Sequence, residues 1–325
     1  MFQPFTNEMT MRELIGHPLL KELAPYFVFQ KDWTEEMDKP LKALYLASEG
    51  VADGLNRLCA LRETGDRIFP LYGEEEIRTC PEKEDPRLFW FPSDDPAAAE
   101  KPYILLVPGG GYVNVWSLTE GWPVARRFNE LGWNVFVLNY RVNLPKLFPR
   151  PLDDISRALD LIRGKEQLFR VRWDHYLTLG FSAGANLILN WMLPGHGYAV
   201  YGMPAPQGVI PVYPPVSLKL SLDGEHNDWL TYAVELMSIK NGDDSWSIED
   251  HVRDFPPTRI IHCADDDLVN PEHSRILKQA LDAAGILSEL EMDARGGHGF
   301  AEGTGTDAEG WIDRTAAFFA KTIAI

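Results

Sequence analysis

Uninterrupted apolar runs recur through the last two thirds of the chain. Each run is too short for a typical helix, and continuous apolar runs of this length are typical of strands buried on both faces of a parallel sheet. The pattern therefore predicts a set of buried strands lying side by side in one sheet. The runs lie at residues 103–108, 134–140, 176–181, 208–213 and 259–264.

Stretches with apolar residues at helical spacing lie between or after these runs. Strand and helix therefore alternate, as the βαβ units of a parallel sheet require. This alternation predicts an α/β fold with a mostly parallel central sheet flanked by helices. The predicted helices lie at residues 120–132, 151–164, 183–193 and 271–285.

The first part of the chain has a different pattern. Residues 1–65 carry leucines at near-helical spacing, and Thr10 can cap the helix that would follow it. Further on, polar clusters separate short β-prone runs, which predict antiparallel strands, and a surface loop is expected after them. The β-prone runs lie at residues 68–72, 76–80 and 87–91, and the loop at residues 92–101.

These patterns divide the chain into an N-terminal helical extension, residues 1–65, and a main domain, residues 66–325. Within the main domain, residues 214–257 are polar, contain tryptophan and show no clear period. We expect this segment to be a small lid insert that covers the top of the sheet. The extension has two open roles, docking over the functional site or forming a contact in a homo-oligomer.

Composition and charge narrow the classes of partner. The 325 residues include 31 Lys and Arg against 48 Asp and Glu, which gives a formal charge of −17. Such a field repels nucleic-acid phosphates and anionic lipid surfaces. No apolar run approaches the roughly 18 residues of a membrane-spanning helix. We therefore expect no nucleic acid and no membrane as partner, and a small neutral or cationic molecule as ligand.

The cysteines favour a reducing compartment. Cys59, Cys80 and Cys263 are odd in number, widely spaced and without a CxxC pair, so neither a disulfide framework nor a cysteine zinc site is indicated. The N-terminus lacks the basic stretch and apolar run of a secretory signal. We expect a cytoplasmic location.

The strongest chemical signal is Gly180-Phe181-Ser182-Ala183-Gly184. It follows the apolar run 176–181 and directly precedes a predicted helix. A sharp strand-to-helix turn holds the serine in a strained conformation and exposes its hydroxyl, and glycines leave room for that turn. The alternative is a chance match in a glycine-rich turn. The context favours Ser182 as a nucleophile.

A serine hydroxyl needs a base, and in this arrangement an acid and then a histidine follow the serine in the chain. His298 lies in a glycine-rich loop after residues 288–294, whereas His273 starts a predicted helix and is interpreted as a surface residue. Three adjacent aspartates, Asp265, Asp266 and Asp267, end the last apolar run and supply the acid. A metal cluster at these aspartates is disfavoured because no second group of ligands accompanies them.

A glycine loop supplies donors for a developing oxyanion. Pro108-Gly109-Gly110-Gly111-Tyr112 follows the first buried strand, and glycines let backbone N–H groups approach a substrate. A triple glycine alone is only a flexible turn, but its position after a buried strand favours the functional interpretation. Gly110 and Gly111, together with Ala183, are the predicted oxyanion donors.

From about residue 87 onward the chain resembles the α/β-hydrolase superfamily, and within it the acetyl-esterase and feruloyl/acetyl-xylan esterase-like branch of carbohydrate esterases. The motifs follow one another in the order of that family. They are PGGGY (108–112), LNYRV (138–142), PLDDISRALDLIR (151–163), GFSAGANL (180–187), CADDDLVNPEHS (263–274) and GGHGF (296–300).

The resemblance implies a triad of Ser182, Asp266 and His298, and hydrolysis of short acyl esters, often acetyl groups on carbohydrates, without a metal or organic cofactor. Asp266 is preferred because it begins a D-x-x-V pattern similar to that of related hydrolases, and Asp267 is the second choice. Pro108 stands where lipase-type loops have histidine, and Ala185-Asn186 where the branch often has Gly-His. Asn139 and Arg141 are expected to brace the glycine loop.

The predicted function is that of a serine esterase acting on short acyl esters, such as those of acetylated oligosaccharides. The triad alone does not separate this from a serine peptidase or amidase of the same fold, or from a binding module that retains the site. The expected substrate-binding residues are Tyr112, next to the glycine loop, and Trp229 and Trp246 in the insert. These aromatic side chains could stack on sugar rings, or they could fill the core of a lid.

Overall fold

The computed structural model describes residues 3–27, 36–44, 49–222 and 244–323. Residues 223–243 of the predicted insert, including Trp229, lie outside the described residues. None of the helices in the described ranges is long and apolar enough to cross a membrane.

In the described part of the chain, eight strands form one sheet in the order β1-β2-β4-β3-β5-β6-β7-β8. The first strand pairs antiparallel with the second, and the second pairs antiparallel with the fourth, whereas the other neighbours are parallel. The mostly parallel sheet confirms the predicted fold class, and each buried apolar run is a strand. The strands are β1 (Ile68–Pro70), β2 (Arg87–Phe91), β3 (Tyr103–Val107), β4 (Val135–Asn139), β5 (Tyr176–Phe181), β6 (Gly208–Val212), β7 (Thr258–Cys263) and β8 (Ser288–Asp293).

Helices pack on both faces of the sheet. The four predicted helices are confirmed in α4, α5, α7 and α9, and a π-helical turn, Ser117–Gly121, leads into α4. The helices are α1 (Met11–Gly16), α2 (Val51–Arg62), α3 (Glu74–Thr79), α4 (Trp122–Glu130), α5 (Arg150–Gly164), α6 (Glu166–Phe169), α7 (Ala183–Trp191), α8 (Lys219–Leu222), α9 (Glu272–Ala283) and α10 (Trp311–Thr322).

One predicted strand is wrong. Residues 76–80 lie in and just after helix α3 rather than in a strand. The backbone N–H of Gly73 donates to the Glu76 carboxylate at 3.1 Å, and acidic residues fill the first turn, where they favour the helix dipole. The other two β-prone runs contain β1 and β2, and the predicted loop at 92–101 contains a short 3₁₀ helix, Pro96–Ala99.

The N-terminal segment packs onto the main domain. Thr10 caps α1 as expected, because its hydroxyl accepts from Glu13 N–H while the Glu13 carboxylate accepts from Thr10 N–H. Helix α2 lies so close to α4 that a Cβ added at Gly54 would lie 2.4 Å from the Pro123 nitrogen. Apolar side chains of both helices share one cluster with the sheet.

The sheet register brings four chain segments to one edge. The last residue of β3, Val107, pairs with Gly180, and the last residue of β5, Phe181, pairs with Val212. Strands β7 and β8 end together, at Cys263 and Asp293. The segments that follow these strands therefore meet at the carboxyl edge of the sheet, where open α/β sheets bind their ligands.

Candidate active site

Ser182 lies on a strained turn between β5 and α7. Its backbone has φ 50° and ψ −118°, a conformation that costs energy for a residue with a side chain. The N–H of Ser182 donates to Val212 O at 3.0 Å. A Cβ at Gly184 would lie 2.1 Å from the Val107 carbonyl oxygen, so only glycine lets α7 approach the end of β3 this closely. The geometry is that of a nucleophile elbow.

His298 connects this serine to an aspartate. Its Nε2 lies 3.0 Å from Ser182 Oγ, and its Nδ1 lies 2.8 Å from Asp266 Oδ2. Because an ionised carboxylate only accepts hydrogen bonds, Nδ1 carries the proton and Nε2 is free to accept one from the hydroxyl. The His298 ring packs against Tyr213, with ring centroids 4.6 Å apart.

The structure distinguishes the three adjacent aspartates. Asp265 accepts from Gly296 N–H at 2.9 Å and from Gly297 N–H at 2.8 Å, so it shapes the loop that carries His298. Asp266 is buried and contacts the histidine, whereas Asp267 is exposed. In the described part of the chain, no group of three or more His, Cys, Asp or Glu side chains is arranged to hold a metal ion.

Four donors surround the carboxylate of Asp266. One oxygen accepts from the N–H groups of Leu268 and Val269, at 2.9 and 2.8 Å. The other faces Nδ1 of His298 and Nε2 of His262. Burial opposes ionisation, but the hydrogen bonds with His262 and His298 outweigh it and hold the pKa of Asp266 well below its usual range. Asp266 is therefore an anion at neutral pH.

His262 is a residue of the site that sequence reasoning missed. It is fully buried, with Nε2 3.0 Å from Asp266 and Nδ1 2.8 Å from Ser274 Oγ. A histidine that points inward from β7 looks like any core residue in the sequence. The only available signal was its spacing, four residues before the acid.

From its place near the start of a helix, His273 is predicted to be a surface residue, and this prediction is wrong. It is fully buried, and its Nδ1 accepts from the N–H groups of Val216 and Ser217 at 3.2 and 3.1 Å. Burial, followed by the neighbouring His262, lowers the pKa of His273 to about 4. The sequence prediction failed because the N-terminal turn of α9 faces the segment after β6 instead of solvent.

The glycine loop reaches the elbow directly. A Cβ added at Gly109 would lie 3.0 Å from Ser182 Cβ, and Gly110 and Gly111 have φ values of 128° and 61°. The loop therefore approaches Ser182 at Gly109, the residue directly before Gly110 and Gly111. Ala183 is the first residue of α7, where N–H groups have no acceptor within the helix.

The predicted substrate-binding residues have different positions. The side chain of Tyr112 is fully buried and its hydroxyl donates to Asn186 Oδ1 at 2.8 Å, so the structure gives it a packing role instead of a surface that a substrate could touch. Trp246 is half-buried, with its ring 5.4 Å from Phe148 and stacked 3.8 Å from His196. Trp229 lies outside the described residues.

The segment after β4 braces the glycine loop, through residues next to Arg141. Tyr140 donates its hydroxyl hydrogen to Pro108 O at 2.9 Å, and Asn143 N–H donates to Tyr112 O at 2.8 Å. The Arg141 side chain instead contacts the buried Asp154 and the hydroxyl of Tyr72. Its effect on the loop is therefore indirect.

Comparison with known proteins adds the family context. The BD-FAE family model matches residues 92–195, which include the glycine loop and the elbow. The acetylxylan esterase of Xylanibacter ruminicola is 28% identical over 207 residues, which are 62% of this chain and 41% of that protein. Endo-1,4-beta-xylanase B of Butyrivibrio fibrisolvens is 28% identical over 244 residues, 70% of this chain and 36% of that protein. The chain spans about a fifth to a half of the length of its curated relatives.

Solved structures of other hydrolases share the fold of this chain. The acetyl ester-xyloside bifunctional hydrolase of Caldicellulosiruptor lactoaceticus superimposes with a TM-score of 0.63 at 26% identity, covering 78% of this chain and 95% of that one. The α/β hydrolase MGS-M1 from a deep-sea metagenome library shares the fold, with a TM-score of 0.58 at 23% identity, over 74% of this chain and 93% of that one. The chain thus has the α/β-hydrolase fold, and it is similar to proteins of the acetyl-esterase and acetylxylan-esterase-like branch.

Proposed function

We propose that this protein is a serine esterase that hydrolyses short-chain acyl esters through an acyl-enzyme on Ser182. The observation that carries the proposal is the unbroken line of hydrogen bonds from Ser182 Oγ through His298 to Asp266, with distances of 3.0 and 2.8 Å. The similarity to esterases adds support for ester hydrolysis as the reaction.

In the first half of the reaction, His298 Nε2 takes the hydroxyl proton of Ser182 while Oγ attacks the ester carbonyl carbon. The carbonyl oxygen becomes an oxyanion, which accepts hydrogen bonds from the N–H groups of Gly110, Gly111 and Ala183. Asp266 stabilises the imidazolium that forms. The carbon–oxygen bond to the alcohol then breaks, the alcohol leaves with the proton from His298, and the acyl group stays on Ser182.

In the second half, His298 takes a proton from water, whose oxygen attacks the acyl carbon. The same donors hold the new oxyanion until the bond to Ser182 Oγ breaks. Ser182 recovers its proton from His298, and the carboxylic acid leaves. Apart from the ester and water, the proposed steps use only groups of this chain, and no atom is oxidised or reduced.

The proposed substrates are acetyl esters of polar alcohols, including acetylated sugars and xylo-oligosaccharides. The half-buried ring of Phe148 packs on Tyr112, and the half-buried ring of Trp246 packs on Phe148. The names of the acetylxylan esterase and the acetyl ester-xyloside hydrolase point in the same direction. A charge of −17 disfavours anionic esters.

The test is hydrolysis of p-nitrophenyl acetate, butyrate and octanoate beside an aminoacyl p-nitroanilide, with Ser182→Ala as the control. We expect the highest kcat/KM on acetate, and no turnover above background with Ser182→Ala, which should melt at the temperature of the wild type. Rates that rise toward octanoate would instead indicate a lipid-type esterase. Preference for the anilide would indicate a peptidase or amidase, and no turnover on any substrate a binding module.

A second measurement addresses the alcohol. Acetate release from acetylated xylo-oligosaccharides should exceed release from acetyl esters of simple alkanols at equal concentration. Equal rates on both would leave an acetyl esterase without a preference for carbohydrate.

A further inference from the structure

The π-helical turn Ser117–Gly121 carries a fully buried carboxylate, Glu120. One oxygen accepts from Gly109 N–H at 2.6 Å, and the other accepts from the Tyr213 hydroxyl at 2.9 Å. Glu120 forms no ion pair with Lys or Arg within the described ranges. Burial raises its pKa, and the hydrogen bond from Gly109 is the largest opposing influence. Burying a carboxyl group without a positively charged partner costs folding free energy, so the presence of Glu120 at this position needs an explanation.

Both partners of Glu120 touch the proposed catalytic groups. Gly109 directly precedes the oxyanion donors Gly110 and Gly111, and a Cβ added at Gly109 would lie 2.8 Å from Glu120 Oε2 and 3.0 Å from Ser182 Cβ. The ring of Tyr213 packs on the ring of His298, with centroids 4.6 Å apart. The carboxylate of Glu120 therefore connects the glycine loop to Tyr213, which packs on the proposed general base, His298.

We propose that Glu120 is a positioning residue of the esterase reaction, which sets the glycine loop for oxyanion binding and holds Tyr213 against the ring of His298. The proposal rests on the esterase function proposed above. Because Gly109 N–H is taken up by Glu120, it cannot turn toward the substrate, and the next two N–H groups of the loop are the ones left to bind the oxyanion. Trp116 N–H holds the carbonyl of Gly109 at 3.0 Å, so the peptide groups on both sides of Gly109 are anchored.

A carboxylate suits this position better than an amide. A carboxylate accepts from both Gly109 N–H and the Tyr213 hydroxyl. A glutamine that keeps the Gly109 bond through its amide oxygen must turn its NH₂ group toward Tyr213, whose hydroxyl then has to accept instead of donate. In addition, the positive charge that His298 gains during turnover lies close enough to favour the ionised form of Glu120. Replacement of the carboxylate by an amide therefore weakens the hold on the loop next to the oxyanion donors and leaves the shape of the side chain almost unchanged.

The test compares the wild type with Glu120→Gln and Tyr213→Phe, and with Ser117→Ala as a matched control. Ser117 lies in the same turn, is fully buried, and its hydroxyl has no hydrogen-bond partner in the described structure. For each protein, kcat and KM for p-nitrophenyl acetate are measured well below the melting temperature, together with Ki for a trifluoromethyl ketone that forms a hemiketal oxyanion. Amide hydrogen exchange of residues 104–116 follows the loop without reference to activity.

For Glu120→Gln we expect kcat to fall by about tenfold to a hundredfold, the range for loss of a charge-assisted hydrogen bond, with KM nearly unchanged. Ki for the ketone should rise by the same factor, and exchange in the loop should accelerate. Tyr213→Phe should lower kcat by less, because Gly109 N–H keeps its acceptor, and Ser117→Ala should change none of these values.

Wild-type values of kcat and Ki in folded Glu120→Gln would overturn the proposal, as would a loss of activity matched by Ser117→Ala. If Glu120→Gln does not fold, Tyr213→Phe takes its place. Wild-type kcat and Ki in Tyr213→Phe would overturn the proposed support of His298 through Tyr213. Unchanged hydrogen exchange in the loop of Tyr213→Phe would mean that Glu120 holds the loop through its contact with Gly109 and not through Tyr213. If the wild type turns over no ester, the esterase function fails, and loop exchange alone then decides whether Glu120 positions the loop.

Discussion

Asp154 and Asp266 are both buried carboxylates close to the carboxyl edge of the sheet, but they have different partners. Asp154, in α5, faces the guanidinium of Arg141, with Nε 3.0 Å from Oδ1, and also accepts from Arg141 N–H and the Tyr72 hydroxyl. Asp266 faces two imidazoles and two backbone N–H groups. Arg141 cannot give up its proton, whereas a histidine can.

This difference separates an acid that holds a fixed positive charge from one that orients an imidazole able to transfer a proton. The Asp154 cluster keeps its charges fixed and joins α5 to the end of β4, next to the segment that braces the glycine loop. The Asp266 cluster ends in an imidazole whose second nitrogen faces Ser182. Of these two buried acids, only Asp266 contacts an imidazole that also reaches the hydroxyl of Ser182.

Replacement of Asp266 should produce the largest effect on turnover. In Asp266→Asn, the amide can present N–H to Nδ1 of His298, which favours the tautomer whose Nε2 carries a proton and cannot accept one from Ser182. By the triad template, kcat should fall by up to about 10⁴-fold. Steady-state hydrolysis of p-nitrophenyl acetate measures this loss.

The matched control is Asp265→Asn. Its amide oxygen can still accept from Gly296 and Gly297, so kcat should change by less than about tenfold. If Asp265→Asn were the more damaging change, the triad acid would have to be placed one residue earlier.

Asp154 should show the opposite behaviour. Asp154→Asn leaves the Arg141 guanidinium buried without its main counter-charge, and breaking such a pair costs about 3 kcal/mol of unfolding free energy. Because Asp154 touches no reacting group, kcat should stay near the wild-type value at temperatures where the variant is folded. Urea denaturation and kcat, measured on the same preparation, test both statements.

Asp160→Asn, on the same helix, provides the comparison. Asp160 pairs with Arg163 at a partly exposed site, so its loss should cost less than about 0.5 kcal/mol. A drop in kcat for folded Asp154→Asn would contradict the structural role of the Arg141 cluster.

His273 makes the Asp266 side of the molecule sensitive to pH. Burial, followed by the neighbouring His262, lowers the pKa of His273 from 6.5 to about 4, and the unprotonated Nδ1 accepts from the N–H groups of Val216 and Ser217. The unfolded chain therefore binds more protons than the folded one between these values. Stability from this group is complete above about pH 6.5 and declines as the pH falls toward 4, with a loss of about 2 kcal/mol between pH 7 and 5.

His273→Gln isolates this contribution, since its amide oxygen accepts hydrogen bonds but does not titrate. The variant should lose less unfolding free energy than the wild type between pH 7 and 5, as measured by urea denaturation. Parallel pH curves for the two proteins would show that His273 is not the group responsible.

Much of the fold could be predicted from local patterns. Strands β3 to β7 lie in mostly apolar runs, which predicted their burial on both faces. The strand predicted at residues 76–80 is wrong because the helix cap at Gly73 outweighs the β-propensity of the side chains that follow it. Strand β8, with its half-exposed alternating residues, and helix α10 were not predicted.

The candidate site shows the same limit. Ser182 and His298 stand out because glycines surround them, and glycine marks turns that other residues cannot make. Glu120, His262 and His273 sit inside helical or strand patterns, where the sequence does not reveal which side chain faces the site. Their contacts link segments far apart in the chain, for example Glu120 with Tyr213. The predicted roles of Trp229 and of the insert stay predictions.

A much smaller effect on turnover than that of Asp266→Asn is expected at His262. Its Nε2 faces two acceptors, Asp266 Oδ2 and Val269 O, so it carries the proton, and its Nδ1 accepts from the hydroxyl of Ser274. His262→Gln can keep one of these bonds but not all three. Asp266 would stay ionised through its other donors but would be less firmly oriented, and kcat should fall by about tenfold, close to the 1.4 kcal/mol of one ordinary hydrogen bond.

Ser274→Ala, which leaves the contact between His262 and Asp266 intact, should lower kcat less. If His262→Gln lost as much activity as Asp266→Asn, His262 would belong with the reacting groups, and if it lost none, the backbone N–H groups of Leu268 and Val269 would suffice to orient the acid.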